Sequence, residues 1–189
     1  MPAPTPSVEP TCQLAMHLSN AFEIVANSAA FQARIAEAHS VPESREGVSQ
    51  FIHCFDDAIT VQDGTLGEPQ LDSSLKRPFA IIAPGVEGEL SRIASCSFPQ
   101  FEGQSMTVVL IQDVPQQEDG EHSVDSMMRF LNFAGGTYES VNNSQYAGEV
   151  LNCQILTEPG RTSFSEREIP ENDFFSFSFG ILFGVEASQ

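Results

Sequence analysis

The chain has no tryptophan, a single lysine at position 76 and no long apolar run. Its 189 residues carry 8 basic side chains against 26 acidic ones, so the net charge is −18 at pH 7. Proteins that grip nucleic acid neutralise its phosphates with Lys and Arg, and this charge argues against that class. A membrane helix needs about 18 or more consecutive apolar residues, which no segment provides. The first residues also lack the basic flank and apolar run of a secretory signal.

Cysteine and histidine are scarce too, with four of each. The cysteines stand far apart without a C-x-x-C pair, a spacing typical of neither a disulfide framework nor a zinc ribbon. Cys54 and Cys153 lie in apolar stretches, so we expect buried thiols. His53 adjoins Cys54, but neighbours in a strand point to opposite faces. Since the sequence contains no nucleophile elbow and no EF-hand pattern, we predict a protein that is not an enzyme, without catalytic, metal or cofactor residues.

The residues that are present favour one folded domain. The hydrophobic fraction is 41% and fifteen residues are Phe, and a chain of about 100–200 residues usually forms one domain. Residues 2–10 contain four prolines, which favour an extended polyproline conformation. We therefore predict an extended arm at 1–10 and a single α+β domain at 11–189. Such arms are either disordered or held by a neighbouring subunit.

Apolar spacings of three and four residues predict two helices. The first runs from Leu14 to Ala38 without Gly or Pro, with Thr11 as its cap and His17 on its polar face. The second begins near Ser123. Its apolar positions are Val124, Met127, Met128, Leu131, Ala134, Tyr138 and Val141.

Alternating or continuous apolar residues predict five strands. They contain Phe51 to Val61, Phe79 to Ala83, Met106 to Val114, Leu151 to Ile155, and Phe175 to Phe183. In the first of them we expect a break near Asp56 and Asp57. In the last strand we expect the Phe side chains to face the helices and the intervening Ser and Gly residues to face outward. Residues 62–77 predict a hairpin loop. The order of elements predicts an α+β fold with a mostly antiparallel sheet of about five strands and two helices packed on one face.

Two polar loops contain candidate contact residues. Phe98 and Phe101 either fold back on the core or anchor a partner. Arg161 and Arg167 flank Phe164 in a long acidic loop, where they either pair between subunits or are solvated.

Acidic residues are concentrated in residues 62–72 and 85–89. They are either solvated surface or the lining of a pore that repels a DNA backbone. The candidates for such a lining are Asp63, Glu68, Glu87 and Glu89.

Five stretches within residues 11–185 together resemble the tail-terminator and minor-tail proteins of long-tailed bacterial viruses. They are the helix Leu14–Ala38, Arg77-Pro-Phe-Ala-Ile-Ile82, Met106–Val114, Phe130-Leu-Asn-Phe-Ala-Gly-Gly136 and Phe174-Phe-Ser-Phe-Ser-Phe-Gly180. The resemblance implies an α+β subunit of a six-fold ring that caps the tail tube and docks to the head connector. It implies a channel for DNA and no active site.

We therefore expect a virion structural protein of the tail or neck, made in the host cytoplasm. Its expected partners are further copies of itself in a hexameric ring, the tail tube protein and the head connector protein, while DNA passes without specific binding. The expected interface residues are Pro4, Pro6, Phe98, Phe101, Arg161, Phe164 and Arg167. The alternatives are another neck, connector or minor tail protein, or a non-viral soluble α+β module that binds a small molecule.

Overall fold

The computed structural model describes residues 8–54, 59–60, 70–71, 74–84, 104–114, 123–146, 149–150, 152–163 and 173–183. The helices in these ranges are α1 (Gln13–Ala26), α2 (Ala29–His39), α3 (Arg45–Val48) and α4 (Ser123–Asn142). The strands are β1 (Ile52–Cys54), β2 (Ile59–Thr60), β3 (Gln70–Leu71), β4 (Phe79–Pro84), β5 (Gln104–Asp113), β6 (Gln145–Tyr146), β7 (Glu149–Val150), β8 (Asn152–Ser163) and β9 (Asp173–Phe183).

The main sheet has five strands in the order β1-β4-β5-β9-β8. β1 runs parallel to β4, and the other neighbouring pairs are antiparallel. The predicted α+β fold with a mostly antiparallel sheet is therefore confirmed. β2 and β3 pair separately, with Ile59 opposite Leu71, and form the base of the hairpin predicted in this part of the chain.

The predicted single helix Leu14–Ala38 is wrong, because the chain forms two helices there. α1 ends at Ala26, where the Asn27 side chain donates a hydrogen bond to the Glu23 carbonyl at 2.8 Å. Ser28 then caps α2, and its hydroxyl accepts a hydrogen bond from the N–H of Phe31 at 3.4 Å. A serine in this position satisfies an N–H group that the helix itself leaves without a partner. Neither break residue is Gly or Pro, so apolar spacing alone does not show the break.

The start of α1 also differs from the prediction. Cys12, not Thr11, precedes the helix, and its side chain makes no capping hydrogen bond. His17, predicted on the polar face, is only 2% exposed. Its ring stacks on that of Phe183 with centroids 4.4 Å apart. Because α1 is a separate helix, its buried face is set by its own contact with the sheet.

The three longer helices contact the same face of the sheet. Phe130 of α4 stacks on Phe175 of β9 at 5.3 Å, and His17 of α1 stacks on Phe183 of the same strand. Arg34 of α2 donates a hydrogen bond at 2.8 Å to Gln112, which lies opposite Phe175 in the sheet. Directly paired residues and alternate residues of one strand share a face, so these contacts all lie on one side.

The opposite face of the sheet is buried as well. Ser178 is 1% exposed and Gly180 is also buried, so the prediction that the Ser and Gly residues of β9 face solvent is wrong. A Cβ added at Gly180 would lie 3.8 Å from a methyl carbon of Leu156. The Arg77 guanidinium lies 5.4 Å from the centre of the Phe174 ring on this same face. The central strands are therefore covered on both sides.

The predicted first strand, Phe51 to Val61 with a break near Asp56 and Asp57, is wrong at its start, and residues 55–58 lie outside the described ranges. Phe51 belongs to a short 3-10 turn, Ser49–Phe51, and stacks on His39 with ring centroids 4.0 Å apart. β1 covers only Ile52–Cys54, and β2 is a separate strand. Phe51 is thus buried by α2, so the apolar alternation through this residue was not the pattern of a strand.

Candidate interaction surface

α4 carries two sets of apolar side chains that point in different directions. The set that is buried comprises Phe130, Phe133, Ala134 and Val141. A second set is exposed: Val124 at 54%, Met128 at 53% and Leu131 at 43%. Three of the apolar positions predicted for this helix are therefore exposed, and buried Phe130 and Phe133 were not among those positions. Each residue turns a helix by about 100°, which separates Leu131 from its buried neighbour Phe130 by more than a quarter of a turn.

One flank of α4 packs against α2. Phe133 stacks on Phe31 with centroids 5.9 Å apart, and Arg129 forms an ion pair with Glu37 at 3.3 Å. At Gly136 an added Cβ would lie only 2.7 Å from the Cβ of Ala30. The two helix backbones thus approach closely on this side, which we call the inner flank.

The other flank of α4 faces β8. The Asn142 side-chain oxygen accepts a hydrogen bond from the Cys153 N–H at 3.0 Å, and Tyr138 meets the ring of Phe179 edge-on at 5.4 Å. Helical geometry places Val124, Met128 and Leu131 on this same outer flank, in the turns before Tyr138. Their exposed side chains therefore lie on the β8 side of the molecule.

β8 is the last strand of the sheet, and β9 is its one partner among the strands that the structure describes. Ile155 lies opposite the fully buried Phe179, yet 48% of its surface is exposed. Gln154 beside it is exposed as well. We call this surface the β8–α4 edge, defined as Val124, Met128 and Leu131 of α4 together with residues 152–156 of β8.

Charged contacts lie elsewhere in the described ranges. The ion pairs there are Arg34–Glu37 (2.9 Å), Arg77–Asp113 (2.8 Å), Arg129–Glu37 and Arg45–Glu23. The side-chain hydrogen bond that Arg45 donates to the Glu23 carboxylate raises the pKa of Arg45 above its ordinary value. Exposed Glu139 and Glu158 border the β8–α4 edge. The residues of the edge itself are either apolar or uncharged polar residues.

The cysteines differ in environment. Cys153, within the β8–α4 edge, is half-buried, and burial raises the pKa of its thiol to about 11. This thiol is therefore protonated and weakly nucleophilic at neutral pH. Cys54 is exposed, so its predicted burial is wrong. It ends β1, the strand at the other edge of the sheet, whose partner among the described strands is β4.

Of the predicted interface and channel residues, Arg161 alone falls in the described ranges. It lies within β8, opposite Phe175 of β9, and not in a loop as predicted. The preceding Pro159-Gly160 is typical of a turn, but here the strand continues through two register shifts. The other predicted residues lie outside the described ranges: Pro4, Pro6, Phe98, Phe101, Phe164, Arg167, Asp63, Glu68, Glu87 and Glu89.

Sequence reasoning missed the residues that make this surface. Met128 and Leu131 were predicted as apolar positions of the second helix, and Ile155 as part of an alternating strand, with no sign that they are exposed. The available signal was the excess of apolar residues in α4, since they cover more of its circumference than a single contact face requires. For Ile155 there was no local signal, because exposure at a sheet edge depends on strand order.

No group of His, Cys, Asp and Glu in the described ranges is arranged to hold a metal ion. In those same ranges, no helix has both the length and the hydropathy required to cross a membrane. Comparisons of the chain with protein-family models, with curated proteins and with solved structures give no match.

Proposed function

We propose that this chain is a virion structural protein, a tail-terminator-like ring subunit that caps the tail tube and joins it to the head connector. The β8–α4 edge is the observation that carries the proposal. It combines three exposed apolar side chains on a helix with an adjacent strand at the margin of the sheet. Exposed apolar surface next to an open strand edge is typical of a protein–protein contact.

The position of this surface suits a ring. Neighbours in a ring contact each other head-to-tail, so each subunit needs two different surfaces. The β8–α4 edge lies at one margin of the sheet, and β1 lies at the other. A contact that joins the β8–α4 edge to a different surface of the next copy repeats around the ring until it closes.

The charge of the chain suits a channel for DNA. A surface that carried many basic residues would bind DNA through release of counterions and would hold it in place. A net charge of −18 disfavours such binding. Within this proposal, Asp63, Glu68, Glu87 and Glu89 line the channel, and the DNA passes without specific contacts.

The apolar part of the edge does not suffice for assembly. Complete burial of an exposed Leu or Met side chain contributes about 1.5–3 kcal/mol, and these three are already partly covered. Association costs roughly 4–15 kcal/mol of translational and rotational freedom. The subunit contact therefore needs further interactions beside Met128 and Leu131.

The test is the absolute mass of the full chain by light scattering, with negative-stain images of the same sample. We expect a ring with a mass near six times 20.6 kDa. Leu131→Glu, which adds a charge on the outer flank, should dissociate the ring. Asn132→Glu adds the same charge one residue away on the exposed side of α4 and should leave it intact.

The ring proposal is contradicted if the chain has a mass of 20.6 kDa at every concentration and also remains a monomer when purified tail tubes are added. If the ring forms and both variants retain it, the subunits assemble through a surface other than the outer flank of α4.

A further inference from the structure

The prolines at the start of the chain follow a period of two. Pro2, Pro4 and Pro6 alternate with Ala3, Thr5 and Ser7. In an extended strand, successive residues direct their N–H and C=O groups to opposite edges. All three residues that lack an N–H therefore lie on one edge, and the other edge keeps every donor and acceptor. The segment can pair with a sheet on one side only.

The same prolines favour the extended backbone that such pairing needs. Each ring fixes its own φ near −65°. Each also biases the residue before it, including Ala3 and Thr5, toward the β and polyproline regions. The segment therefore has fewer conformations to lose on binding than an ordinary tail of this length, which lowers the entropic cost of ordering it.

The β8–α4 edge offers a matching acceptor strand. The N–H of Cys153 donates to the Asn142 side chain, so residue 153 directs its backbone polar groups to the outer edge, where its C=O but not its N–H can take part in pairing. By alternation, the N–H and C=O of Ile155 point the same way. Beyond Ile155 the register shifts twice, and Pro159 has no N–H to donate to a further strand, although β8 itself continues to Ser163. The stretch available for pairing is thus as short as the proline segment.

The residues between the proline segment and α1 are mostly exposed. Val8 is 83% exposed, and Glu9, Thr11 and Cys12 are exposed as well, so the chain leaves the body of its own subunit before α1 begins. Residues 2–7 contain no charged side chain, whereas the whole chain carries a charge of −18. An uncharged strand can approach exposed Glu139 and Glu158 at the border of the edge without the repulsion that an acidic segment would meet.

We infer that residues 2–7 of one copy add as a sixth strand to the outer edge of β8 in a neighbouring copy, paired through Ala3, Thr5 and Ser7. The proline edge then faces solvent and stops further strand addition. This inference rests on the proposed ring, in which it supplies one contact between successive subunits, and it adds backbone hydrogen bonds to the apolar contact of α4.

A matched pair of substitutions in the full chain tests the pairing edge. Thr5→Pro removes one N–H from the pairing edge, and Pro4→Thr adds one to the opposite edge. We expect Thr5→Pro to raise the dissociation constant of the subunits about fivefold, which corresponds to the net contribution of one hydrogen bond. Pro4→Thr should change it less than twofold. Sedimentation velocity over a concentration series measures both.

A polyproline mode of binding gives the reverse result. Thr5→Pro lengthens the proline run and would leave association unchanged or strengthen it. That outcome overturns the strand assignment. Neither position lies in a helix or strand that the structure describes, so a loss of association should not result from unfolding, and circular dichroism of both variants checks this.

Cross-linking then identifies the acceptor. Thr5→Cys combined with Ile155→Cys, in a full chain whose native cysteines are replaced by alanine, should form a disulfide between two chains on oxidation. Thr5→Cys with Glu43→Cys, an exposed position between α2 and α3, should not. A disulfide within one chain, or a link between two Ile155→Cys positions alone, overturns the exchange of segments between neighbours.

The two proposals fail in different ways. If rings are seen in the electron microscope, but Thr5→Pro does not weaken association and the Thr5–Ile155 cross-link does not form, the proposed function stands and this inference is excluded. Cross-linked dimers without rings retain the inference and exclude the ring. A chain that is monomeric at every concentration excludes both.

Discussion

β8 and β9 are neighbouring strands of 12 and 11 residues with opposite environments. In β9 the side chains of both faces are buried, from Phe174 to Phe183, wherever the structure describes them, apart from partly covered Ser176. In β8 the side chains of Gln154, Ile155 and Glu158 are exposed. Ile155 and Phe179 are directly paired and share a face, but the first is half-exposed and the second fully buried. Burial in this sheet is therefore decided by strand order as much as by alternation.

α4 repeats the contrast within a single helix. Its inner flank, with Phe133 and Gly136, is pressed against α2, and its outer flank, with Met128 and Leu131, is exposed. The inner flank stabilises the fold through its packing against α2, and the outer flank is available for contacts with another molecule. Substitutions at matched positions on the two sides should consequently have very different effects on the free energy of unfolding.

The largest difference is expected at the pair Phe179 and Ile155. Phe179→Asp places a charge without a partner where Phe179 is completely buried, and should reduce the free energy of unfolding by more than about 4 kcal/mol. A chain with the usual stability of about 5–15 kcal/mol would be largely or wholly unfolded. Ile155→Asp, opposite it in β8, should cost less than about 1 kcal/mol because its carboxylate reaches water. Urea unfolding followed by circular dichroism measures both.

Equal losses of stability at the two positions would contradict the contrast between the strands. Phe179→Leu serves as the control, since it keeps the site apolar and should unfold at a urea concentration between those of the wild-type chain and Phe179→Asp.

A smaller difference is expected between two adjacent glycines of α4. Gly136→Ala would bring its Cβ to 2.7 Å from Ala30, so α2 and α4 must move apart, at a net cost of about 1–2 kcal/mol. Gly135→Ala meets no atom within 4 Å on the outer flank and should raise stability by about 0.5–1 kcal/mol, the difference in helix propensity. Thermal unfolding of both variants shows whether the signs are opposite. Two stabilising substitutions would mean that the inner flank is not closely packed.

The elements that sequence could predict are those with strong local patterns. Alternating Phe residues predicted β9, and a run of β-branched residues predicted β5. The break between α1 and α2 was missed because Asn27 and Ser28 are neither Gly nor Pro, and the break depends on two side-chain hydrogen bonds. The extent of β8 was missed because Pro159-Gly160 is usually a turn, whereas pairing with β9 continues the strand past it.

The candidate surface was harder to predict than the fold. Whether Leu131 or Phe130 faces the core depends on where α4 lies on the sheet, and neighbouring residues of a helix carry no information about that position. The exposure of Ile155 depends on β8 being the last strand, a property of the whole chain order. Arg161 was predicted to lie in a loop, but it lies in β8. The strand extends to this residue because distant residues of β9 pair with it.

The smallest effect is expected at Cys153, at the boundary between the packed and the open side. Burial raises the pKa of this thiol from 9.0 to about 11, so the folded chain keeps its proton in a pH range where the unfolded chain loses it. Stability from this group is complete below pH 9 and is lost as the pH rises through 11. Since the thiol is only half-buried, the loss should be about 1 kcal/mol. Urea unfolding at a series of pH values should show a steeper decline for the wild-type chain than for Cys153→Ala, and equal slopes would mean that water reaches this thiol as freely as it does in the unfolded chain.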